Sequence, residues 1–261
     1  MSVIAILCML VIALSITVFM VWASASIRSG VYVRAFCREK TDRKVVYLTF
    51  DDGPHPPETE RVLDVLREHG ARATFFLIGS KVSGNEAVLR RMLEEGHALG
   101  LHTYSHAGTF PLLSFDKMLA DVNEGKRAVE SVAGKKISLF RPPFGVTNPT
   151  IAKVVRTLGL QTVGWDVRSF DTMFCKSSEH SCKQSGYSCK QSGHDWYVPV
   201  VERIMKQVRP GSVILLHDRL DGASEFLALL LDSLAASGYD FTRALPYTLI
   251  SSSDSSETNL S

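Results

Sequence analysis

The chain has 261 residues, 45% hydrophobic and 21% charged, with a net charge of +2. That fits one globular domain of roughly 200 residues with appendages. The near-neutral balance, with Lys and Arg scattered among Asp and Glu and no long basic stripe, argues against nucleic acid as the main partner.

Between Val3 and Ala25 no residue is charged, and the run is long enough to cross a bilayer as one helix, with Trp22 near its end suiting the interface. A cleaved signal peptide is the competing reading, because Ala23-Ser24-Ala25 looks like a cleavage site. No Lys or Arg precedes the run, however, and it is longer than a typical signal core, which favours a retained anchor. Arg28, Arg34, Arg38, Lys40, Arg43 and Lys44 follow it in a basic linker over 28–43 and its boundary. By the positive-inside rule they place the globular part in the cytoplasm.

Val45-Val46-Tyr47-Leu48-Thr49-Phe50 then reads as a buried strand that delivers Asp51 and Asp52 to a turn at Gly53-Pro54. Adjacent side chains on a regular strand point to opposite faces, so both carboxylates enter one site only if the chain turns there. The spacing of apolar residues predicts helices over Glu58 to His69, Asn85 to Glu95, Ser114 to Val132, Pro149 to Leu158, Val198 to Val208 and Glu225 to Ser237. Between them lie strand signals at Ala73 to Gly79, Ala98 to His102, Ile137 to Phe140, Gln161 to Val167 and Gly211 to Asp218. Strands alternating with helices at this pace mean a parallel α/β architecture, with functional loops at the C-terminal strand ends.

The chemistry-bearing residues fall at those ends. His102 and His106, at i and i+4, lie on one side of a helical turn and can reach one metal ion. With one Asp they form a three-ligand site with open positions, the pattern of a catalytic zinc. Arg141 enters a rigid Pro142-Pro143-Phe144-Gly145 loop, well placed to hold a carboxylate. His217 ends the last strand, where it suits proton transfer, and Asp171 follows the fifth.

Thr49 to Pro54, His102 to His106, Arg141 to Gly145, Trp165 to Asp171 and Ile214 to His217 resemble the five ordered motifs of the polysaccharide deacetylase family. This is the NodB-homology domain, carbohydrate esterase family 4. The resemblance covers about 44–245 and implies a distorted, incomplete (β/α) barrel that removes N-acetyl groups from amino sugars with a divalent metal, usually zinc. It implies that Asp52, His102 and His106 ligate the metal and that Asp51 is the general base, paired with and oriented by Arg141. His217 would be the general acid, tuned by Asp171, and the Phe144 N–H would complete an oxyanion hole.

The substrate implied is an N-acetylated glycan such as peptidoglycan or chitin-like N-acetylglucosamine. Family chemistry of this kind more often faces outward from the membrane. A lipid-linked or small amino sugar at the cytoplasmic face and a catalytically silent carbohydrate-binding barrel are the alternatives. In the fourth motif, Arg168 stands where an Asp is usual and Thr172 where a Trp often follows, which alters the wall of the sugar groove and suits an anionic group on the substrate.

Of five cysteines, Cys8 lies in the apolar run, Cys37 in the linker, and Cys175, Cys182 and Cys189 in a near-repeated heptad. They form no disulfide framework. The stretch 175–194 reads as an inserted flexible loop in preference to a second metal site. A disordered polar tail is expected over 246–261.

Overall fold

Strands with no polar alternation must be covered on both faces, and here they build one parallel sheet. The computed structural model describes residues 3–173 and 197–246. The strands are β1 (Val46–Gly53), β2 (Ala73–Leu77), β3 (Ala98–Leu101), β4 (Leu139–Phe140), β5 (Gln161–Thr162), β6 (Val167–Arg168) and β7 (Ser212–His217). They stand in the order β5-β4-β3-β2-β1-β7-β6, every pair parallel. All eight residues of β1 are buried, so the strand carrying the paired carboxylates is enclosed on both sides.

The helices cover the sheet through narrow apolar faces. In α2 (Glu58–Glu68) the buried residues include Val62, Leu63 and Leu66. In α3 (Glu86–Glu94) they are Val88, Leu89 and Met92, and in α4 (Phe115–Ala133) Met118, Val122, Gly125 and Val129. These are the i, i+3, i+4, i+7 positions of a half-buried helix. Helices α5 (Pro149–Thr157), α6 (Tyr197–Met205) and α7 (Ala223–Ala236) complete the outer layer. The distorted, incomplete barrel read from the sequence is the fold found.

One element differs. The single strand expected over Gln161 to Val167 is two short strands at opposite edges of the sheet, joined by only residues 163–166. A four-residue link can connect two edges only because the sheet curls almost onto itself. The gap is bridged by the N-terminal segment. The Phe36 N–H donates to the Thr162 carbonyl and the Gly164 N–H to the Phe36 carbonyl, each at 2.9 Å, and the Glu39 N–H donates to the Gly211 carbonyl at 2.9 Å. These contacts give partners to edge groups that would otherwise be left unpaired.

Before it, α1 (Val3–Ala25) is uncharged and exposed along nearly its whole length, with only Ala23 buried. At 1.5 Å per residue it is about 34 Å long, enough for the ~30 Å hydrocarbon layer or for a signal sequence. Its last turn touches the folded domain, because the Thr147 N–H donates to the Ser24 carbonyl at 2.9 Å. The loop expected over 175–194, and the tail apart from Pro246, lie outside the described residues.

Candidate active site

The carboxylate pair reaches one site through a bulge. Pairing of β1 with β2 slips between Asp51 and Gly53, and Asp52 has φ +71, so the strand's alternation is broken at that residue. Asp51 and Asp52 therefore share a rim. His102 Nε2 lies 3.9 Å from Asp51 Oδ2 and 3.6 Å from Asp52 Oδ1. The strand ends at Gly53-Pro54 as expected, but the two carboxylates are brought together by the bulge at Asp52 inside the strand.

The histidine pair also assembles differently from the helical turn expected for it. Residues 102–106 form an irregular loop in which Thr103 and His106 have positive φ. The loop is held by Asp121 of α4, whose carboxylate accepts from the Tyr104 and Ser105 N–H groups at 2.9 and 3.3 Å. Gly125 of α4 permits that approach, since a Cβ there would stand 2.9 Å from the Thr103 carbonyl. As a result the two imidazole centroids are 4.7 Å apart.

Asp52, His102 and His106 each present a ligand atom, all within 4.8 Å of one another. His102 Nδ1 sits 2.7 Å from the Arg141 carbonyl, and a carbonyl only accepts, so Nδ1 carries the proton and Nε2 presents its lone pair to the cluster. His106 Nε2 is 3.3 Å from Asp52 Oδ1. Burial, then the neighbouring His102, lowers the pKa of His106 and favours the neutral imidazole. Burial alone would raise the Asp52 pKa, but His102, His217, His106 and Arg219 outweigh it and hold that carboxyl below the ordinary range. One carboxylate oxygen and two imidazole nitrogens are a donor set that fits a divalent metal ion.

Two polar pairs flank this cluster. On one side the fully buried Arg141 donates through Nη1 to Asp51 Oδ1 at 2.7 Å and to Thr49 Oγ1 at 2.9 Å. Its Nη2 and Nε donate to the Gly164 and Val163 carbonyls at 2.8 and 3.3 Å. Asp51 Oδ2 is left facing His102 Nε2 at 3.9 Å. On the other side, His217 Nδ1 donates to Asp171 Oδ1 at 2.8 Å while the His217 backbone N–H donates to Oδ2 at 2.9 Å. That grip turns His217 Nε2 toward the cluster, 4.0 Å from Asp52 Oδ2. Burial would lower the His217 pKa, but the hydrogen bond and charge of Asp171, with Asp51 and Asp52 beyond, raise it.

Phe144 stands half-exposed beside His106. It has φ +61, its ring packs 5.2 Å from that of His106, and its N–H donates to no other described residue. Gly145 keeps the loop tight, because a Cβ there would sit 2.4 Å from the Trp165 ring. All eight residues singled out in the sequence thus gather on one rim.

Their neighbours carried no such signal. Lys81, Asp121 and Arg219 act between elements distant in sequence, Lys81 Nζ donating to the Asp52 carbonyl and Arg219 Nε to Asp52 Oδ2, and no local pattern announces such contacts. Asp166, within the fourth motif, faces elsewhere: it accepts from the Val213 N–H and the Ser212 hydroxyl at the start of β7. Arg168 lies over the Phe170 ring at 4.6 Å and near that of Trp165 at 5.9 Å.

Fold and rim together define a hydrolase class, a curled parallel α/β half-barrel with an Asp–His–His cluster between two ion pairs, Asp51–Arg141 and Asp171–His217. The sequence pattern described as polysaccharide deacetylase matches residues 38–163. A peptidoglycan-N-acetylglucosamine deacetylase of Bacillus cereus is 34% identical over 207 residues, covering 77% of this chain and 86% of the relative. A chitooligosaccharide deacetylase of Azorhizobium caulinodans is 32% identical over 178 residues, covering 66% and 73%. The crystal structure of a polysaccharide deacetylase from Bacillus cereus superposes with a TM-score of 0.65 at 29% identity, covering 78% of this chain and 93% of that one. This chain belongs to the polysaccharide deacetylase family, carbohydrate esterase family 4.

Proposed function

We propose that the chain removes N-acetyl groups from amino sugars of a poly- or oligosaccharide, peptidoglycan or chitin-like N-acetylglucosamine, using zinc held by Asp52, His102 and His106. The observation that carries this reading is the convergence of those three ligand atoms within 4.8 Å, with Asp51–Arg141 on one side and His217–Asp171 on the other. The names of the two relatives describe deacetylases of peptidoglycan N-acetylglucosamine and of chitooligosaccharide.

The residues divide the work of amide hydrolysis. A divalent ion held by Asp52, His102 and His106 would supply Lewis acidity, lowering the pKa of a water from 15.7 toward about 7 and favouring attack on the acetamide carbonyl. Asp51, oriented through Oδ1 by Arg141, takes the water's proton on its free Oδ2. The unpaired Phe144 N–H donates to the carbonyl oxygen as negative charge develops on it. His217 gives its Nε2 proton to the sugar nitrogen, which then leaves as the amine, while Asp171 stabilises the charged imidazole before transfer.

The test is acetate release by the full chain, chelator-stripped and then refilled with zinc, from peptidoglycan and N-acetylglucosamine oligomers. Activity should vanish on stripping and return on refilling. No release from any glycan by refilled protein would replace this reading with the silent barrel. In the same assay, the alkaline limb of kcat/KM reports loss of the His217 proton. Because Asp171 raises that pKa, Asp171→Asn should move the limb to lower pH.

We infer further that α1 is retained as an anchor and that the domain faces outward, where peptidoglycan lies. The Ala23 and Ser24 carbonyls accept from Thr147, in the same loop as Phe144, so removing the segment would strip the loop of those contacts. The six basic residues after α1 favour the second reading, a lipid-linked sugar at the cytoplasmic face. Reporter fusions after Ser261 decide: activity only on the cytoplasmic side would install the second reading, and a mature chain beginning near residue 26 would refute the anchor.

A further inference from the structure

Asp52 divides its two oxygens. Oδ1 faces both imidazoles, 3.3 Å from His106 Nε2 and 3.6 Å from His102 Nε2. Oδ2 turns the other way and accepts from Arg219 Nε at 2.9 Å. Arg219 follows β7 two residues after His217, and β7 pairs with β1, so the two strand ends place this guanidinium beside the carboxylate. Among the described residues Asp52 is its one carboxylate partner. A second cation steadies the backbone of the same residue, since Lys81 Nζ donates to the Asp52 carbonyl at 2.7 Å.

We propose that Arg219 is a positioning residue for the metal ligand, locking the Asp52 carboxylate so that Oδ1 alone points into the cluster. This rests on the metal reading above. The Asp52 side chain has two torsions to settle, χ1 and χ2, and a donor held on one carboxylate oxygen restricts both. With Oδ2 engaged, Asp52 ligates through a single oxygen and leaves coordination positions open for water and the acetamide, as a catalytic zinc site requires. Without Arg219 the carboxylate is free to rotate, or to ligate through both oxygens and close a position. Groups that orient a metal ligand in this way typically carry 10–100-fold in metal affinity or activity.

The alternative use of a half-exposed arginine at a glycan site is to hold substrate, and the two uses differ in what they move. The experiment compares the wild-type full chain in detergent with Arg219→Ala and Arg219→Lys, measuring zinc affinity by competition with a chromophoric chelator in the absence of substrate. Thermal unfolding of the metal-free proteins checks that each variant folds. The visible spectrum of the cobalt-substituted proteins reports coordination geometry independently of turnover.

Positioning predicts 10–100-fold weaker zinc binding in Arg219→Ala, an altered cobalt spectrum, and partial recovery of both in Arg219→Lys. Unchanged affinity and spectrum, whether or not KM rises, would overturn it and give Arg219 to substrate or to the surface. Failure of the wild type itself to bind one zinc would overturn the metal reading with it, so the two failures are told apart.

Discussion

Replacing Asp51 with Asn is expected to lower kcat/KM by about 10²–10⁴ while zinc content and fold are retained. The amide keeps the size of the carboxylate, and its oxygen can still accept from Arg141 Nη1, now 2.7 Å from Asp51 Oδ1. What changes is the other arm. An NH2 group replaces Oδ2, the oxygen 3.9 Å from His102 Nε2, and it has no lone pair with which to take a proton from water. Binding and proton transfer are thereby separated. The check is initial rates of acetate release beside metal analysis of the same preparation. A variant that stays fully active with its metal in place would mean that another group takes the proton, and Asp51 would become a structural partner of Arg141.

Arg141→Met should destabilise the fold by about 3–5 kcal/mol and remove activity as well. The guanidinium is wholly buried, over the Phe76 ring at 4.1 Å, and it donates to Asp51, Thr49, Gly164 and Val163. Methionine fills much of the volume but leaves Asp51, itself 4% exposed, without its cation and two carbonyls without a donor. Against a typical total stability of 5–15 kcal/mol the loss is large. It corresponds to roughly 6–20 °C in Tm at about 2–4 °C per kcal/mol for a domain of this size.

The double variant Asp51→Asn, Arg141→Met separates pair from packing. If the damage lies in the orphaned carboxylate, removing it as well should recover part of the lost Tm. A double variant no more stable than Arg141→Met alone would place the damage in the two carbonyls and the Phe76 contact.

These two residues also show what local sequence can announce. Asp51 is legible because an apolar strand ending in Asp51-Asp52-Gly53-Pro54 places charge where a parallel strand leaves the sheet. Arg141 is legible as an arginine at a strand end before two prolines. Its partners are not, because Thr49, Val163 and Gly164 meet it only after β1, β4 and the segment after β5 are brought together by the curl of the sheet. The same holds for the histidines. Their i, i+4 spacing marked them as a pair, but the geometry that joins them is a loop held by Asp121 and admitted by Gly125, nineteen residues or fewer from His106 yet on another element.

The sequence by itself determined the order of strands and helices, the parallel class of the sheet, and the identity of the residues on its rim. Those follow from period, turn chemistry and motif order, which are properties of consecutive residues. Only the tertiary structure decided that the strand after α5 splits across both edges, that residues 36–39 bridge the gap, that Asp52 turns inward through a bulge, and that Arg219 meets its second oxygen. Each of these depends on groups far apart in the chain sharing one hydrogen-bonding distance, a condition set by how the sheet curls and closes.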